Sequence, residues 1–242
     1  MRVAVISDIH GNRYAFEKVL DAIRDEGADQ IVCLGDVATL GAEPLESVRM
    51  LASINCACIA GNHDRFIINP ESAKAYAKSG PILDAINWCV AELDEEAKKF
   101  ISGFEKSISF PTPGGDFFIF HGTPGSDEEN LLVESAAEVF DSIVAVRDAA
   151  VYVSGHSHIR MLRQHYGRLF VNPGSVGSPF LCAFNGKSPT ILPQAEYAII
   201  DFKRERATVA FKQILLDMNV IKTSLLSSKN PMARMILGNY SR

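Results

Sequence analysis

Apolar residues follow two rhythms along this chain. Short unbroken runs alternate with stretches in which apolar positions recur every three or four residues. The first run, Val3-Ala4-Val5-Ile6, is β-branched and continuous. Such a run predicts a strand buried on both faces. After it, Ala15, Phe16, Val19, Leu20 and Ile23 recur at helical spacing, with Asn12 as N-cap and Gly27 as C-terminal stop. A second run covers residues 31–34. Pro44 then opens a second helix carrying Leu45, Val48, Leu51 and Ala52 on one face, and a third run covers 56–60. Strand, helix, strand, helix, strand predicts right-handed crossovers and a parallel sheet.

The stretch 71–104 has a different character. Leu83, Ile86, Trp88, Val90 and Leu93 are spaced amphipathically, and Gly80-Pro81 divides the stretch in two. It reads as a helical excursion over the sheet, with Trp88 in its core. Strand signals return from Ile108. Residues 117–120, 151–154 and 168–171 are apolar runs, Gly114-Gly115-Asp116 marks a hairpin-type turn, and 133–144 reads as a helix. Two further strands, 195–202 and 207–214, are joined by a charged turn from Lys203 to Arg206, which predicts an antiparallel pair. A tail at 217–242 carries the apolar patch Met232, Met235, Ile236 and Leu237. That patch suits packing on its own domain or a homodimer contact.

With 242 residues and 47% hydrophobic content, the chain suits one domain spanning 1–242 with a substantial core. The 24 Lys+Arg against 29 Asp+Glu, with no basic run, argue against a dedicated nucleic-acid-binding region. No apolar stretch approaches the roughly 18 residues of a membrane span, so a soluble, cytoplasmic protein is expected. The five cysteines are Cys33, Cys56, Cys58, Cys89 and Cys182. They include no second close pair to complete a zinc site with Cys56 and Cys58, and read as buried reduced thiols.

The polar residues that end the runs carry the chemistry. Asp8 and His10, Asp36, Asn62 and His63, His121, and His156 and His158 each follow an apolar run. In open α/β sheets, ligand sites form outside the carboxyl ends of strands. The chain has six histidines, and His165 alone lies away from these endings. Core packing does not explain that distribution. Imidazole mixed with carboxylate suits Mn, Fe, Zn, Ni or Co better than Mg or Ca, and the lack of thiolate argues against structural zinc. Two divalent ions bring four positive charges. Asp8, Asp36 and a bound hydroxide would leave about one, which favours an anion such as phosphate.

Asp8-Ile9-His10, Gly35-Asp36, Gly61-Asn62-His63-Asp64, His121-Gly122 and Gly155-His156-Ser157-His158 resemble, in order and spacing, the calcineurin-like metallophosphoesterases. The resemblance runs from Val3 to about Ile214. Finer features resemble the small bacterial and archaeal phosphodiesterase branch: Gly35-Asp36 leading to Gly41 and Pro44, His121-Gly122-Thr123-Pro124, and Val171-Asn172-Pro173-Gly174-Ser175-Val176-Gly177. The family's fold implies an α/β (α+β) four-layer αββα sandwich of two mixed β-sheets flanked by helices.

The resemblance implies two divalent transition-metal ions, with manganese preferred and Fe, Zn, Ni or Co as alternatives. One would be held by Asp8, His10 and His158, the other by Asn62, His121 and His156, with Asp36 as bridge. His63 would stay off the metals and protonate the leaving oxygen. The implied reaction is hydrolysis of a small phosphate ester or anhydride, such as a nucleotide, by in-line attack of a metal-bridging hydroxide. The phosphodiesterase reading is favoured because Ala60 precedes Gly61 and Thr39-Leu40-Gly41 stand where the family's protein phosphatases carry Asp-Arg-Gly. Arg13, Arg65 and Arg160 lie beside motif residues, and Arg65 and Arg160 are the candidate substrate contacts. The stretch 178–193 departs from the branch's pattern. The alternative reading is a non-catalytic or weakly catalytic scaffold on the same fold.

Overall fold

In the computed structural model, which describes residues 1–77, 80–204 and 206–241, two sheets lie face to face. The first contains β1 (Arg2–Ile6), β2 (Gln30–Cys33), β3 (Cys56–Cys58), β9 (Gln194–Lys203) and β10 (Arg206–Leu215), in the order β10-β9-β1-β2-β3. The second contains β4 (Ser107–Thr112), β5 (Gly115–Phe120), β6 (Val151–Val153), β7 (Met161–His165) and β8 (Arg168–Asn172), in the order β4-β5-β6-β8-β7. Each sheet has a parallel centre. Strands β1, β2 and β3 run together, as do β5, β6 and β8. The remaining strands pair antiparallel.

The continuous apolar runs follow from this layering. On β1, Val3 and Val5 face the second sheet, packing with Val32, Phe117, Ile119, Val151 and Phe202. Ala4 and Ile6 face the other way, onto a cluster with Phe16, Val19, Val48 and Leu51 from α1 (Arg13–Glu26) and α2 (Pro44–Ala52). Alternate residues therefore enter different cores, and no position from Val3 to Ile6 can be polar without burying a group that needs a partner. On the far side, Phe118, Phe120, Tyr152 and Phe170 pack with Phe140 and Ile143 of α7 (Ala137–Val146). Helices, sheet, sheet and helix make the expected four layers. Asn12 caps α1 by accepting from Ala15 N at 3.1 Å, and Gly27 ends it at φ 63°.

Several local expectations shift. The excursion at 71–104 is broken twice, giving α4 (Ala73–Tyr76), α5 (Gly80–Glu92) and α6 (Glu95–Ser102). The second break is Asp94, whose carboxylate takes Ala97 N at 2.8 Å and starts α6. Lys78 and Ser79 within this stretch, Glu205 of the charged turn and Arg242 lie outside the described residues. Helix α7 begins at Ala137 rather than Val133, because Arg163 draws the Val133 and Ser135 carbonyls away at 2.8 and 2.6 Å. Trp88 is half-buried against the helix-side core.

Three further differences concern features the pattern did not predict. Strand β7 was not expected, since Arg163, Gln164 and His165 hide its alternation. Tyr166 and Gly167, both at positive φ, close its hairpin with β8. A short helix, α3 (Asn62–Ile68), starts directly at the third strand's ending. Cysteine burial is uneven: Cys33 and Cys89 are buried, Cys56 and Cys58 are half-buried, and Cys182 is exposed. No described helix is long and apolar enough to cross a membrane.

Candidate metal centre

The carboxyl ends of both parallel centres open onto one edge, and the polar strand endings meet there. Asp8 and His10 follow β1, Asp36 follows β2, and Asn62 and His63 occupy the first turn of α3. His121 follows β5, and His156 and His158 follow β6. These loops carry concentrated backbone strain. Asp8, His10, Asp36, His156 and His158 all hold φ between 47° and 64°, although none is glycine. Each such residue costs on the order of 1–3 kcal/mol and persists only where its surroundings over-determine it. Here the loops hold one another: Asp8 N donates to Gly35 O at 3.0 Å, and His10 N donates to Asp36 O at 2.9 Å.

Two groups of donors result: Asp8, His10 and His158, and Asp36, His121 and His156. Within each group the ligand atoms lie within 4.8 Å of one another. Backbone carbonyls fix which nitrogen faces inward. His10 Nδ1 donates to Thr39 O at 3.2 Å, His158 Nδ1 to Ser178 O at 2.7 Å, and His121 Nδ1 to Leu34 O at 2.6 Å. Their Nε2 lone pairs therefore turn inward. His156 is reversed. Its Nε2 donates to Glu128 O at 2.9 Å, leaving Nδ1 beside Asn62 Oδ1 at 3.1 Å.

This donor set fits a pair of cations. His10 Nε2 and His158 Nε2 face each other at 3.1 Å, so that with both rings neutral and their Nδ1 protons on backbone carbonyls two lone pairs meet there. Asp8 Oδ1 is buried with no hydrogen-bond partner, which leaves its lone pairs for an ion. Asp36 lies between the groups, with Oδ2 3.8 Å from His10 Nε2 and 3.4 Å from His121 Nε2. Asn62 joins the second group, its Oδ1 lying 3.2 Å from His121 Nε2. The crowding explains two glycines. A Cβ at Gly61 would fall on the Asp36 carboxylate and the His121 ring, and one at Gly155 would fall on Ser7 Oγ and the Asp8 carboxylate.

Electrostatics within the bare protein are uneven. Burial, aided by His158, pushes His10 down to about 3, and burial with His121 pushes His156 down to about 4. At His121 burial is overcome by Asp36 and Asp8, which raise the imidazole to about 10. His158 is raised because Asp8 outweighs its burial. Asp8 resists its own burial because His158 and His121 hold it at about 2, and Asp36 is held well below the usual carboxylate range by His121 and His63. A cation in either group would take the place of the proton that these carboxylates now attract.

His63 contacts no member of either group through its ring nitrogens. Its Nδ1 meets Thr39 Oγ1 at 2.7 Å, and its ring packs edge-on against His10, Phe66 and Tyr76. Arg65, Arg160 and Arg13 are each committed to carboxylates. Arg65 forks onto Asp127 at 2.7 and 3.0 Å and reaches Glu128 at 2.6 Å. Arg160 pairs with buried Glu196 at 3.2 Å, and Arg13 pairs with Glu43 at 3.3 Å. His165 stands apart, bonded to Asp141 at 2.7 Å.

Sequence reasoning missed the supporting residues. Asp64 accepts from the backbone N–H groups of Asp36, Val37 and Gly61 at 2.7 to 3.0 Å, tying two strand endings together. Asn172 donates to Gly155 O at 2.6 Å, and Ser175 Oγ donates to Asp8 O at 2.7 Å. The Asn172-Pro173-Gly174-Ser175 turn thus clamps the Asp8 loop to the histidine loop after β6. The signal for Asp64, Asn172 and Ser175 was their place inside recurring motifs. Thr39 had no such signal beyond its place in the Gly35–Gly41 loop.

Comparison with known proteins agrees with this geometry. Residues 1–204 match the family model of the calcineurin-like phosphoesterase superfamily domain. An uncharacterised protein of Methanocaldococcus jannaschii is 33% identical over 194 residues, covering 73% of this chain and 76% of that protein. Among solved structures, a metallophosphoesterase from Sphaerobacter thermophilus superposes with a TM-score of 0.76 at 24% identity, covering 99% of this chain and 97% of that one. A hypothetical protein from Pyrococcus horikoshii superposes with a TM-score of 0.80 at 18% identity, covering 98% and 96%.

Proposed function

The chain belongs to the calcineurin-like phosphoesterase superfamily and is a metal-dependent phosphoesterase; from that premise we propose that it is a phosphodiesterase working through two metal ions. The observation that carries the reading is the pair of donor groups with Asp36 between them. When bound, the ions supply an acidified water and offset charge developing at phosphorus.

The chain's own residues do the rest. Asp8, His10 and His158 would hold one ion, and Asn62, His121 and His156 the other, with Asp36 shared. The carbonyl-bonded imidazoles are fixed in tautomer before any ion arrives, so little rearrangement accompanies loading. His63 is the general acid. Thr39 engages Nδ1, which leaves Nε2 to carry the proton given to the leaving alkoxide. Burial pushes the His63 imidazole down, which makes it a readier proton donor once protonated. A diester suits the site better than a monoester. A monoester dianion calls for an extra cation, and Arg13, Arg65 and Arg160 are all neutralised by carboxylates.

The test is metal analysis together with hydrolysis of bis-p-nitrophenyl phosphate and p-nitrophenyl phosphate. About two transition-metal ions per chain, and faster turnover of the diester with Mn²⁺, are expected. His63→Ala should keep both ions and lose roughly 10²–10⁴-fold in kcat. A protein that binds no metal and stays inactive after Mn²⁺ addition would sink the reading. Loss of metal in His63→Ala would refute its role as acid.

A further inference from the structure

The stretch 178–193 and the C-terminal tail lie outside every motif above, yet they converge on one donor group. Residues 178–192 fold back on themselves, with Leu181 N donating to Thr190 O at 2.9 Å and Leu192 N to Pro179 O at 2.8 Å. The base of this hairpin grips His158 in three ways. Ser178 O takes its Nδ1 proton at 2.7 Å, and Phe180 N donates to His158 O at 3.3 Å. The Phe180 ring stacks on the imidazole, with centroids 4.2 Å apart and planes at 19°. A stacked ring and a bonded Nδ1 together fix both the plane and the rotation of an imidazole.

The tail holds this hairpin from behind. Ile191, 4% exposed, donates its N–H to Asn239 O at 2.8 Å and accepts from Ser241 N at 2.8 Å. The chain after α9 (Ala233–Asn239) thus lies alongside the hairpin. The same tail also reaches the other imidazole of the group. Asn230, 5% exposed, donates from Nδ2 to Leu40 O at 2.7 Å and to Gly41 O at 2.8 Å. Its Oδ1 accepts from Met232 N at 2.8 Å, so the amide is fully used. Leu40 sits at φ 73°, a strained position for a branched residue, and Thr39 just before it is the carbonyl partner of His10. Neither segment makes a described hydrogen bond to His121, His156 or Asn62.

We propose that the 178–192 hairpin and the C-terminal tail form one brace that positions His10 and His158, and so governs the affinity of one ion of the pair. Phe180 and Asn230 are its positioning residues. The inference rests on the two-ion reading of the site. It adds that the two ions answer to different parts of the chain, one of them to residues more than 150 positions beyond the first strand.

The experiment titrates Mn²⁺ into the full-length, metal-stripped protein by calorimetry and by electron paramagnetic resonance. Wild type is expected to bind two ions. Phe180→Ala and Asn230→Ala should bind one as wild type and the other roughly 10–100-fold more weakly. Phe180→Tyr, which keeps the ring, should restore the weakened ion. Phe180→Leu keeps apolar bulk and so a folded chain, and should not restore it. In a His158→Ala background Phe180→Ala should add nothing, whereas in a His156→Ala background it should weaken the ion that remains. Wild-type affinity for both ions in Phe180→Leu and Asn230→Ala, or equal weakening of both, overturns the brace while leaving the two-ion reading standing. A wild-type chain that takes up no Mn²⁺ refutes that reading, and the brace with it.

Discussion

In the group of Asp8, His10 and His158 every donor is buried; His158 is pinned by the late hairpin, and His10 by the Thr39 carbonyl, whose turn the tail holds through Asn230. In the group of Asp36, Asn62, His121 and His156 the outermost donor, His156, is half-buried and takes its orientation from the Glu128 carbonyl. Glu128 belongs to an acidic surface loop that Arg65 holds down. The donor chemistry is nearly the same in both groups, but the support is not. One group is walled by a hairpin and a tail, and the other is rimmed by a loop. Similar ligand types can thus be held by unlike supports, and orientation of the donors carries a large share of metal binding.

Removing the shared carboxylate is the strongest way to break the comparison. Asp36→Ala should abolish the difference between the groups by disabling both. Metal analysis should find fewer than one ion per chain, and diester turnover should fall by on the order of 10³-fold or more, the scale of losing charge stabilisation from the ions. Two ions bound as tightly as in wild type would show that Asp36 is no bridge.

A smaller effect separates the bare chain from the loaded one. In the metal-free protein His121 is raised to about 10, above the ordinary value of 6.5. The folded state then holds a proton that the unfolded state releases, so this contribution to stability is complete below pH 6.5 and is lost as pH rises towards 10. Metal-free protein should therefore lose about 1 kcal/mol of stability per pH unit between pH 7 and 9 by denaturant titration. Mn²⁺ affinity should move the opposite way, rising about tenfold per unit, because the ion must displace that proton. An affinity that is flat across this window would mean that His121 carries no proton to displace.

The smallest effect sharpens the contrast from the loop side. Arg65→Ala frees Asp127 and Glu128, and with them the carbonyl that orients His156. One ion should weaken roughly tenfold while its neighbour is unchanged. Combined with Phe180→Ala, the two losses should fall on different ions and add. If Arg65→Ala and Phe180→Ala weaken the same ion, the two groups share one support.

Much of the centre is legible in the sequence, for a simple reason. A strand buried on both faces must be apolar throughout, so the first polar residue marks where the chain leaves the sheet. Asp36, Asn62 and His121 are such markers, Asp8 and His156 follow the markers Ser7 and Ser154 within two residues, and parallel strands carry their ends to one edge. The rest was hidden because its logic is not periodic. Strand β7 hides its alternation because Arg163 and His165 share its inner face with Met161 while the apolar Leu162 faces solvent. Helix α3 is too short to show a repeat. Thr39 and Asn230 look like ordinary loop residues, and their roles depend on partners that sequence spacing does not reveal.

The sequence by itself determined the order of strands and helices, the candidate donors at the strand endings and the motifs that mark the family to which the chain belongs. These follow from local patterns of burial and from short motifs, whose physics is confined to a few neighbouring residues. Only the tertiary structure decided how the donors are held: which nitrogen of each imidazole faces inward, that all three nearby arginines are neutralised, and that residues 178–192 and the tail close on His158 and the turn beside His10. Those outcomes depend on contacts between segments up to 190 residues apart. Such contacts are selected by how the whole chain packs, and no stretch of the chain encodes them alone.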